Sequence, residues 1–347
     1  MRKLASVQKI IDITPIPNAD SIELAKVLGW QCVVKKGEYK VNDLIIYFEV
    51  DSFLPIRPEF EFLRNTSYKN SDLLGEGFRL KTQKFRGELS QGLIMPISTF
   101  PQIPNDVEEG MEVTGLLNVR KWEMIEQAGS NRTMIGELPD SIPHTDETRI
   151  QNNPNILDEF SNIEYYISTK LDGTSCSIGI DQNGFHVTGH TREYKDDGKS
   201  TFYNLVKEKG YVDRLAEFYN NRGLETITIQ GEYCGSGIQK NPLKLMKPDW
   251  FIFTIIVNGK RVGLEDMLTI CKELNMPTVP IEEVDNNLPI KYPTVEALLK
   301  RAEGNYNSGV RKEGIVIRPT IPIYSNLLHT WLSMKVINNA YLLKNSD

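Results

Sequence analysis

The first 120 residues of the chain contain short apolar segments separated by turn-forming residues. Segments that are rich in β-branched and aromatic residues and end near Pro, Gly or Asn are typical of short strands. The predicted strands are Ser6–Ile13, Trp30–Lys35, Leu44–Val50, Phe78–Thr82 and Gly92–Ile97. Because about five strands in this length suit a small closed sheet, they predict a β-barrel, with the OB-fold as the leading candidate.

The length and charge of the chain limit its class. With 347 residues it is long enough for two domains that each bury a core. The net charge of -6 argues against a polybasic tail, so any polyanion must bind at a local basic patch. The four cysteines include no C-x-x-C pair, and no apolar run approaches the length of a membrane span. We therefore expect a soluble, intracellular protein that does not bind a membrane.

A basic patch of this kind occurs at residues 78–87, where basic side chains alternate with two phenylalanines. Nucleic-acid grooves use this mixture for phosphate contact and base stacking. A solvated strand with its phenylalanines in the barrel core would have the same composition, so both interpretations stay open. The candidate nucleic-acid-binding residues are Arg79, Lys81, Lys84 and Arg86.

The remaining sequence divides into a junction and a mixed region. Residues 126–160 are polar and rich in turn formers, which is typical of a linker. The charged segment at 145–151 is either plain linker or folds back over a neighbouring pocket. Beyond it, the predicted helices are Ser200–Gly210, Asp213–Asn220, Leu264–Leu274 and Thr294–Ala302. The predicted strands there are Thr226–Glu232, Phe251–Val257 and Gly314–Arg318.

Lys170 ends a β-branched and aromatic run and is followed by an Asp-Gly pair. A lysine amine is a nucleophile only in its neutral form, which desolvation or nearby cations favour. Asp172 would point to the same side as Lys170 if the strand continued, and Gly173 would permit a tight turn. By itself the pattern K-x-D-G is more typical of a surface strand end than of a reactive lysine.

Residues of the types that nucleotide chemistry requires follow in order along the chain. They are Arg192, Glu232, Phe253, Glu313 and Lys335. Arginine and lysine can contact phosphates, carboxylates can bind ribose or a cation, and an aromatic ring can stack on a purine. Each has an ordinary alternative as a strand-end charge, a core aromatic or a solvated lysine. Their order, rather than any one of them, indicates a nucleotide site.

This order resembles the covalent nucleotidyltransferase superfamily, which includes ATP-dependent DNA and RNA ligases and mRNA-capping guanylyltransferases. The matches are Lys170–Gly173 to motif I, Thr191 and Arg192 to motif Ia, Glu232 to motif III, Phe253 to motif IIIa, Glu313–Arg318 to motif IV and Lys335 to motif V. The string Gly235–Asn241 looks like the segment after motif III in RNA ligases of the phage T4 ligase-2 type. A barrel in front of the catalytic domain resembles the Naegleria/Deinococcus-type RNA ligases.

Two positions depart from the superfamily pattern. Ser333 stands where motif V often has the first of two lysines, so only Lys335 carries over. Ser175 stands where DNA ligases usually have arginine, which favours RNA over DNA as the substrate.

The resemblance implies an α+β chain with three parts. Residues 1–125 would form a five-stranded OB-like β-barrel that binds RNA, and residues 126–160 a linker that contributes to the nucleotide pocket. Residues 161–347 would form a nucleotidyltransferase domain of antiparallel sheets flanked by helices. The implied activity is ATP-dependent joining of RNA 3′-hydroxyl and 5′-phosphate ends through lysyl-AMP and RNA-adenylate, as in the sealing of RNA nicks. ATP and Mg²⁺ or Mn²⁺ are the implied cofactors, and the protein is expected to be a monomer.

The resemblance also implies roles for single residues. Lys170 would be the nucleophile that carries AMP, and Lys335 would neutralise the α-phosphate. The nucleotide would contact Thr148, Arg149, Arg192, Glu232 and Phe253. Glu313 would bind the metal, with Asp172 as a second metal contact or a residue that orients the RNA 3′-end, and Arg192 would meet the ribose or the RNA terminus. A capping-type guanylyltransferase and a non-catalytic RNA-binding protein remain as alternatives, and a DNA ligase is a closer variant.

Overall fold

The structure is a computed structural model that describes residues 3–104, 106–122 and 134–344. It divides into two compact units. The first contains the described residues within Met1–Ile125, Gln151–Pro154 and Leu342–Asp347, and the second those within Glu126–Ile150 and Asn155–Tyr341.

The first unit is built mainly from short strands. They are β1 (Ala5–Pro15), β2 (Ile22–Val27), β3 (Trp30–Lys35), β4 (Leu44–Phe48), β5 (Ser52–Pro55), β6 (Tyr68–Ser71), β7 (Gly75–Arg79), β8 (Gln83–Phe85), β9 (Glu88–Ser90), β10 (Leu93–Pro96) and β11 (Arg120–Lys121), with one short helix, α1 (Arg64–Ser67). A five-stranded sheet has the order β10-β4-β1-β2-β3, and a four-stranded sheet has the order β11-β5-β7-β6. Strands β8 and β9 form a separate two-stranded hairpin.

The long strand β1 holds the five-stranded sheet together. Its first half pairs antiparallel with β4 and its second half with β2, and the register shifts between Ile10 and Asp12. Such a bulge bends a strand and increases its twist, which lets a sheet curl around a core. This unit contains two apolar clusters. One packs around Phe48 and Phe60, and the other packs around Trp30. The predicted five-stranded antiparallel sheet is confirmed.

Not every predicted strand of this unit has the predicted bounds. The prediction for Trp30–Lys35 is confirmed in full, whereas Phe78–Thr82 is wrong because the strand there is β7, which ends at Arg79. The strand begins at two glycines that argue against a strand by propensity. Gly77 is required there, since a Cβ atom would lie 2.6 Å from the ring of Phe53. Strand β2 was not predicted, because its glutamate and lysine interrupt the apolar pattern.

The second unit contains most of the remaining elements. Its strands are β12 (Met134–Glu137), β13 (Thr148–Arg149), β14 (Glu164–Lys170), β15 (Thr174–Asp181), β16 (Gly184–Thr188), β17 (Arg192–Tyr194), β18 (Ile227–Cys234), β19 (Asp249–Val257), β20 (Lys260–Arg261), β21 (Ile281–Asn286), β22 (Gly314–Pro319), β23 (Tyr324–Ser325), β24 (Thr330–Trp331) and β25 (Met334–Ile337). The helices are α2 (Thr201–Glu208), α3 (Tyr211–Arg222), α4 (Leu264–Glu273), α5 (Leu288–Lys291), α6 (Val295–Arg301) and, at the end of the described chain, α7 (Asn339–Lys344).

Two larger sheets organise this unit. One has the order β12-β17-β16-β15-β18-β19-β20 and the other the order β13-β25-β22-β14-β21, while β23 and β24 pair separately. The pairs are antiparallel except for β13 and β25, which run parallel. Apolar faces of α2, α3 and α4 pack in the core of the seven-stranded sheet, and α6 packs in that of the five-stranded sheet. The predicted α+β class with antiparallel sheets flanked by helices is confirmed.

The chain passes from one sheet to the other directly after Lys170. Strand β14 belongs to the five-stranded sheet and β15 to the seven-stranded sheet, and only residues 171–173 connect them. The end of β14 therefore lies where side chains from both sheets can meet.

No helix in the described part of the chain is long and apolar enough to cross a membrane.

A buried ionic cluster fixes the five-stranded sheet near this point. The carboxylate of Glu282 on β21 accepts hydrogen bonds from Thr169 Oγ1 at 2.7 Å, Lys312 Nζ at 2.7 and 2.9 Å, and Arg301 Nη1 at 2.7 Å. The side chain of Lys312 is only 7% exposed. Removing one member of such a cluster leaves a buried charge without compensation, which is more costly than losing a surface ion pair.

We expect Glu282→Gln to lower the free energy of unfolding by roughly 2–3 kcal/mol, because the buried side chain of Lys312 would lose its carboxylate partner. Urea denaturation of the variant and the parent protein measures the difference. Glu217→Gln on the exposed side of α3 is the matched control and should change stability by less than about 0.5 kcal/mol. Equal stabilities of the two variants would contradict the prediction.

Candidate active site

A cavity of about 170 Å³ opens in the second unit beside the end of β14. Lys170, Glu232, Phe253 and Lys335 line it. They come from β14, β18, β19 and β25, so both large sheets contribute to its walls. The other lining residues are Thr145, Asp146, Glu147, Ser168, Thr169, Leu171, Ser175, His190, Val279, Val316 and Arg318.

An ion pair joins Lys170 to Glu313 beside this cavity. Lys170 Nζ donates a hydrogen bond to Glu313 Oε2 at 2.8 Å, and the two side chains are only 22% and 17% exposed. The backbone ladder explains the contact, because Lys170 pairs with Gly314, the residue after Glu313. The two side chains thus project from the matching ends of neighbouring antiparallel strands.

Burial and carboxylates act in opposite directions on Lys170. Burial by itself lowers the pKa of Lys170, but the negative charges of Glu313, Glu232 and Asp172 outweigh it, so the pKa is raised well above the usual lysine range. Burial also raises the pKa of Glu232 to about 7, helped by Glu313 and Asp172 and opposed by Lys170. Burial and the charge of Glu313 raise the pKa of Asp172. Lys170 is therefore a protonated ammonium among three crowded carboxyl groups.

Gly173 is needed for close packing rather than for a turn with a positive φ. A Cβ atom at this position would lie 2.4 Å from the carbonyl oxygen of Tyr233 and 2.6 Å from Cys234 Sγ. The close approach brings the Gly173 N–H within 3.1 Å of Glu232 Oε1, to which it donates a hydrogen bond. Strand β14 ends at Lys170, so the condition under which Asp172 would share a strand face with Lys170 is not met. Asp172 nevertheless lies near enough to Lys170 and Glu313 to interact with both charges.

A second buried network surrounds Arg318 on β22. Its guanidinium donates hydrogen bonds to Ser333 Oγ at 2.9 Å, to the carbonyl oxygen of Phe253 and to Glu147 Oε1. It also lies 5.7 Å from the centroid of the Phe253 ring. Burial raises the pKa of Glu147, but Arg318, Arg261 and the hydrogen bonds of the network lower it more, to about 2. The network therefore ties three cavity-lining segments together.

Comparisons with known proteins agree with this arrangement. A family model described as an OB-fold domain matches residues 4–97, and one described as RNA ligase matches residues 163–336. The chain belongs to the RNA ligase family. A search of curated protein sequences finds no match.

Solved structures of the RNA ligase of Naegleria gruberi resemble the whole chain. The structure with PPi has 30% identity and a TM-score of 0.87, and the match covers 100% of each chain. A lysine-to-methionine mutant with AMP and Mn has 30% identity and a TM-score of 0.88, again over 100% of each chain. A glutamate-to-alanine mutant with ATP and Mn has 31% identity and a TM-score of 0.88 with the same coverage. The expected OB-fold and the resemblance to Naegleria-type RNA ligases are confirmed.

The structure brings most of the predicted catalytic-domain residues of this RNA ligase together. Lys170, Glu232, Phe253 and Lys335 line the cavity, and Glu313 reaches it through its ion pair with Lys170. Ser333 is buried and bonded to Arg318, so it does not present a polar group in place of a lysine.

Three predicted nucleotide-binding residues lie outside the cavity lining. Thr148 and Arg149 form β13, which pairs with Met334 and Lys335 of β25, and Arg149 is buried. Arg192 begins β17 with an exposed side chain. The preceding residues of the predicted linker, from Thr145 to Glu147, reach the cavity instead.

The four predicted RNA-binding residues of the first unit have different surroundings. Lys84 and Arg86 are exposed on the β8–β9 hairpin, and Lys81 is half-buried just before it. Arg79 lies on β7 with its guanidinium 5.0 Å from the centroid of the Trp122 ring and 4.0 Å from Asp51 Oδ1. Arg79 therefore takes part in packing, and the exposed cations are on the hairpin.

Sequence reasoning missed the buried network around Glu147 and Arg318. Arg318 was visible in the matched motif IV, and alternation with Val316 along β22 would have indicated that both face the cavity. No local signal pointed to their pairing, because Glu147 and Arg318 are separated by 171 positions in sequence.

We expect Glu147 to make folding stability depend on pH in the acid range. Its pKa is lowered to about 2 in the folded protein, so its contribution is complete above the unfolded pKa near 4.5 and is lost as the pH falls towards 2. A shift of this size corresponds to at most about 3 kcal/mol. Urea denaturation between pH 6 and pH 3 should therefore show a shallower loss of stability in Glu147→Gln than in the parent protein. Parallel curves for the two proteins would contradict the assignment.

Proposed function

We propose that the protein is an ATP-dependent RNA ligase in which Lys170 carries AMP during catalysis. One observation supports the proposal most directly. Lys170 lines a cavity that is also lined by an aromatic ring, Phe253, a carboxyl group, Glu232, and a second lysine, Lys335. The Naegleria ligase structures with ATP, AMP and Mn support the choice of nucleotide and of a divalent cation. Capping by GTP is less favoured, because the family and structural matches are to RNA ligases.

The nucleotide is bound by side chains of both sheets. Phe253 stacks on the adenine, an interaction worth about 1–3 kcal/mol for base–aromatic contacts. Glu232 hydrogen-bonds the ribose, and with a pKa of about 7 it can do so as an acceptor or as a donor near neutral pH. Lys335 neutralises the α-phosphate. Thr148, Arg149 and Arg192 remain proposed contacts of the nucleotide. Arg149 acts indirectly, because its strand β13 pairs with β25, the strand that carries Lys335.

The ion pair with Glu313 makes Lys170 unreactive before the substrate binds. Its ammonium must lose a proton, and Glu313 opposes that loss. The oxygen donors of Glu313 and Asp172 fit a hard cation such as Mg²⁺ or Mn²⁺. Because Mg²⁺ loses its water ligands reluctantly, a cation held by these two carboxylates would keep several of them. Such a cation would neutralise charge on the phosphate oxygens and replace Lys170 as the counter-ion of Glu313.

The proposed reaction has three steps. The neutral amine of Lys170 attacks the α-phosphorus of ATP, forms a P–N bond and expels pyrophosphate. A 5′-phosphate oxygen of an RNA end then attacks the phosphorus of this AMP, which breaks the P–N bond, releases the amine of Lys170 and forms RNA-adenylate. Finally an RNA 3′-hydroxyl attacks that 5′-phosphate and releases AMP. Asp172 and Arg192 are proposed to orient the RNA termini during the last two steps.

The N-terminal OB-fold domain is proposed to bind RNA. Lys84 and Arg86 carry most of this contact because they are exposed on one hairpin, with Lys81 beside them and Arg79 in a supporting position. We propose that the enzyme works as a monomer, and the location of all proposed catalytic groups within the second unit of a single chain supports this.

The test of the proposed chemistry is covalent labelling. Incubation with ATP and Mn²⁺ should add one adenylyl group to the intact mass, and peptide mapping should find it on Lys170. Lys170→Ala should abolish the adduct, because no other amine occupies that position. Lys272→Ala, an exposed lysine on α4, is the control and should be labelled like the parent protein.

Two outcomes of that experiment would overturn the proposal. Stronger labelling by GTP than by ATP would favour a guanylyltransferase. No adduct in the parent protein would favour a non-catalytic RNA-binding protein. A sealing assay then compares two nicked substrates that differ only in having a ribose or a deoxyribose at the 3′-hydroxyl end. Faster sealing of the ribose substrate indicates an RNA ligase, and equal or faster sealing of the deoxyribose substrate indicates a DNA ligase.

The proposed RNA contact on the hairpin predicts a change in salt dependence. Replacing Lys84 and Arg86 by alanine should weaken RNA binding and reduce the slope of log affinity against log salt concentration by about 1.4–1.8, since each phosphate contact contributes about 0.7–0.9. Fluorescence anisotropy with a nicked RNA duplex measures both. Lys9→Ala is the control, because Lys9 is already paired with Glu109 at 2.9 Å. An unchanged slope in the double variant would place the RNA elsewhere.

A further inference from the structure

The hydroxyl of Tyr306 bridges the backbones of Lys170 and Glu313. It donates a hydrogen bond to the carbonyl oxygen of Lys170 at 2.8 Å and accepts one from the Glu313 N–H at 3.0 Å. Tyr306 thus touches both members of the central ion pair without contacting either charged group. None of the motifs matched in the sequence includes this residue.

The bridge occupies the place where the strand ladder stops. The last pair between β14 and β22 is Lys170 with Gly314, and neither Leu171 nor Glu313 belongs to a strand. Gly314 is held tightly against β25, because a Cβ atom there would lie 2.1 Å from the carbonyl oxygen of Val336. One phenolic oxygen therefore completes the hydrogen bonding of two backbones at a point where the sheet no longer does so.

The residues that precede the two partners of the ion pair have an anchor of their own. Thr169 precedes Lys170 and Lys312 precedes Glu313, and both bind the carboxylate of Glu282. Asn338 donates to the Lys312 carbonyl oxygen at 3.2 Å and, through its backbone N–H, to the Glu313 carbonyl oxygen at 2.8 Å. These contacts fix the neighbouring residues. The spacing between the Lys170 carbonyl group and the Glu313 amide group is set by the Tyr306 hydroxyl, which hydrogen-bonds to both.

Tyr306 is suited to a fixed structural contact rather than to contact with substrate. It is only 8% exposed, its ring packs in an apolar cluster with Leu171, Cys234 and Val279, and it is not among the residues that line the cavity. Burial, together with the nearby charge of Glu313, raises the pKa of its hydroxyl, so it remains a neutral donor. A neutral hydroxyl can both donate and accept, as the bridge requires.

We propose that Tyr306 is a positioning residue that sets the distance between the nucleophile Lys170 and the metal-binding carboxylate of Glu313. The inference rests on the proposed function, because it concerns the first chemical step of that site. Attack on phosphorus requires the amine and the phosphate-bound cation to be placed to within fractions of an ångström. The hydroxyl supplies this placement by holding the two backbones to one atom.

Loss of the Tyr306 hydroxyl should affect the chemical step more than nucleotide binding. Without the hydroxyl, the Glu313 N–H and the Lys170 carbonyl lose a partner and the two chain segments can move apart. The rate of lysine adenylylation at saturating ATP should fall about tenfold or more, and half-maximal rate should require more Mn²⁺. The ATP concentration for half-maximal rate should change less than about twofold, because Tyr306 does not line the cavity.

Tyr306→Phe tests this in single-turnover assays of AMP transfer to the protein. Tyr292→Phe is the matched control, since it removes a tyrosine hydroxyl that bonds Glu283 Oε2 at 3.0 Å in the same unit. The control should keep the parent rate and metal requirement within twofold. Thermal unfolding of both variants, compared with the parent, separates a placement defect from loss of the fold.

Each result decides between defined outcomes. A Tyr306→Phe rate within twofold of the parent overturns the positioning role, as does a fall confined to ATP affinity. A parent protein that forms no adenylyl adduct overturns the proposed function instead. The bridge can also be tested in the parent protein, where the Glu313 amide should exchange hydrogen slowly. Rapid exchange there would contradict the bridge even if the variant did not fold.

Discussion

The structure of this RNA ligase is centred on the ion pair between Lys170 and Glu313. Both side chains come from the matching ends of antiparallel neighbours in one sheet, and the chain leaves that sheet for the other one directly after Lys170. A single lysine therefore meets carboxyl groups from both sheets, and Glu232 approaches it because Gly173 leaves room for β18. The charge of Glu313 in this pair raises the pKa of Lys170 and favours its protonated amine, the form in which the proposed nucleophile is unreactive.

A layered set of contacts holds this pair in place. Glu282 anchors the residues before each partner, and Tyr306 joins the backbones of the partners themselves. On the other side of the cavity, Arg318 holds the carbonyl oxygen of Phe253 and the carboxylate of Glu147. These groups are buried and half-buried charges and a neutral hydroxyl that hydrogen-bond to defined partners, which favours one arrangement over many. Placement thus depends in part on Glu282 and Tyr306, which do not line the cavity.

Several features of the site were predictable from sequence and others were not. Lys170, Glu232 and Phe253 stand at or within strands that were recognisable in the sequence, and their order along the chain, with Lys335 after them, matched a family pattern. Glu147 and Tyr306 act through partners 171 and 136 positions away, and no local pattern encodes such pairing. The predicted strand bounds were wrong for a similar reason at β7, where close contact with Phe53 rather than strand propensity requires Gly77. Helices α2 and α6 were predictable because Ser200 and Thr294 cap them.

The parallel pairing of β13 with β25 has a consequence for how the catalytic unit assembles. Strand β13 comes before every other strand of its sheet in the chain, and β25 comes last. The wall of the cavity formed by Thr145, Asp146 and Glu147 is therefore held in place by a strand made nearly two hundred residues later. Contacts of such long sequence separation carry a large loop-closure cost. The cavity beside Lys170 therefore lacks one wall until β25, the last strand of the described chain, has paired with β13.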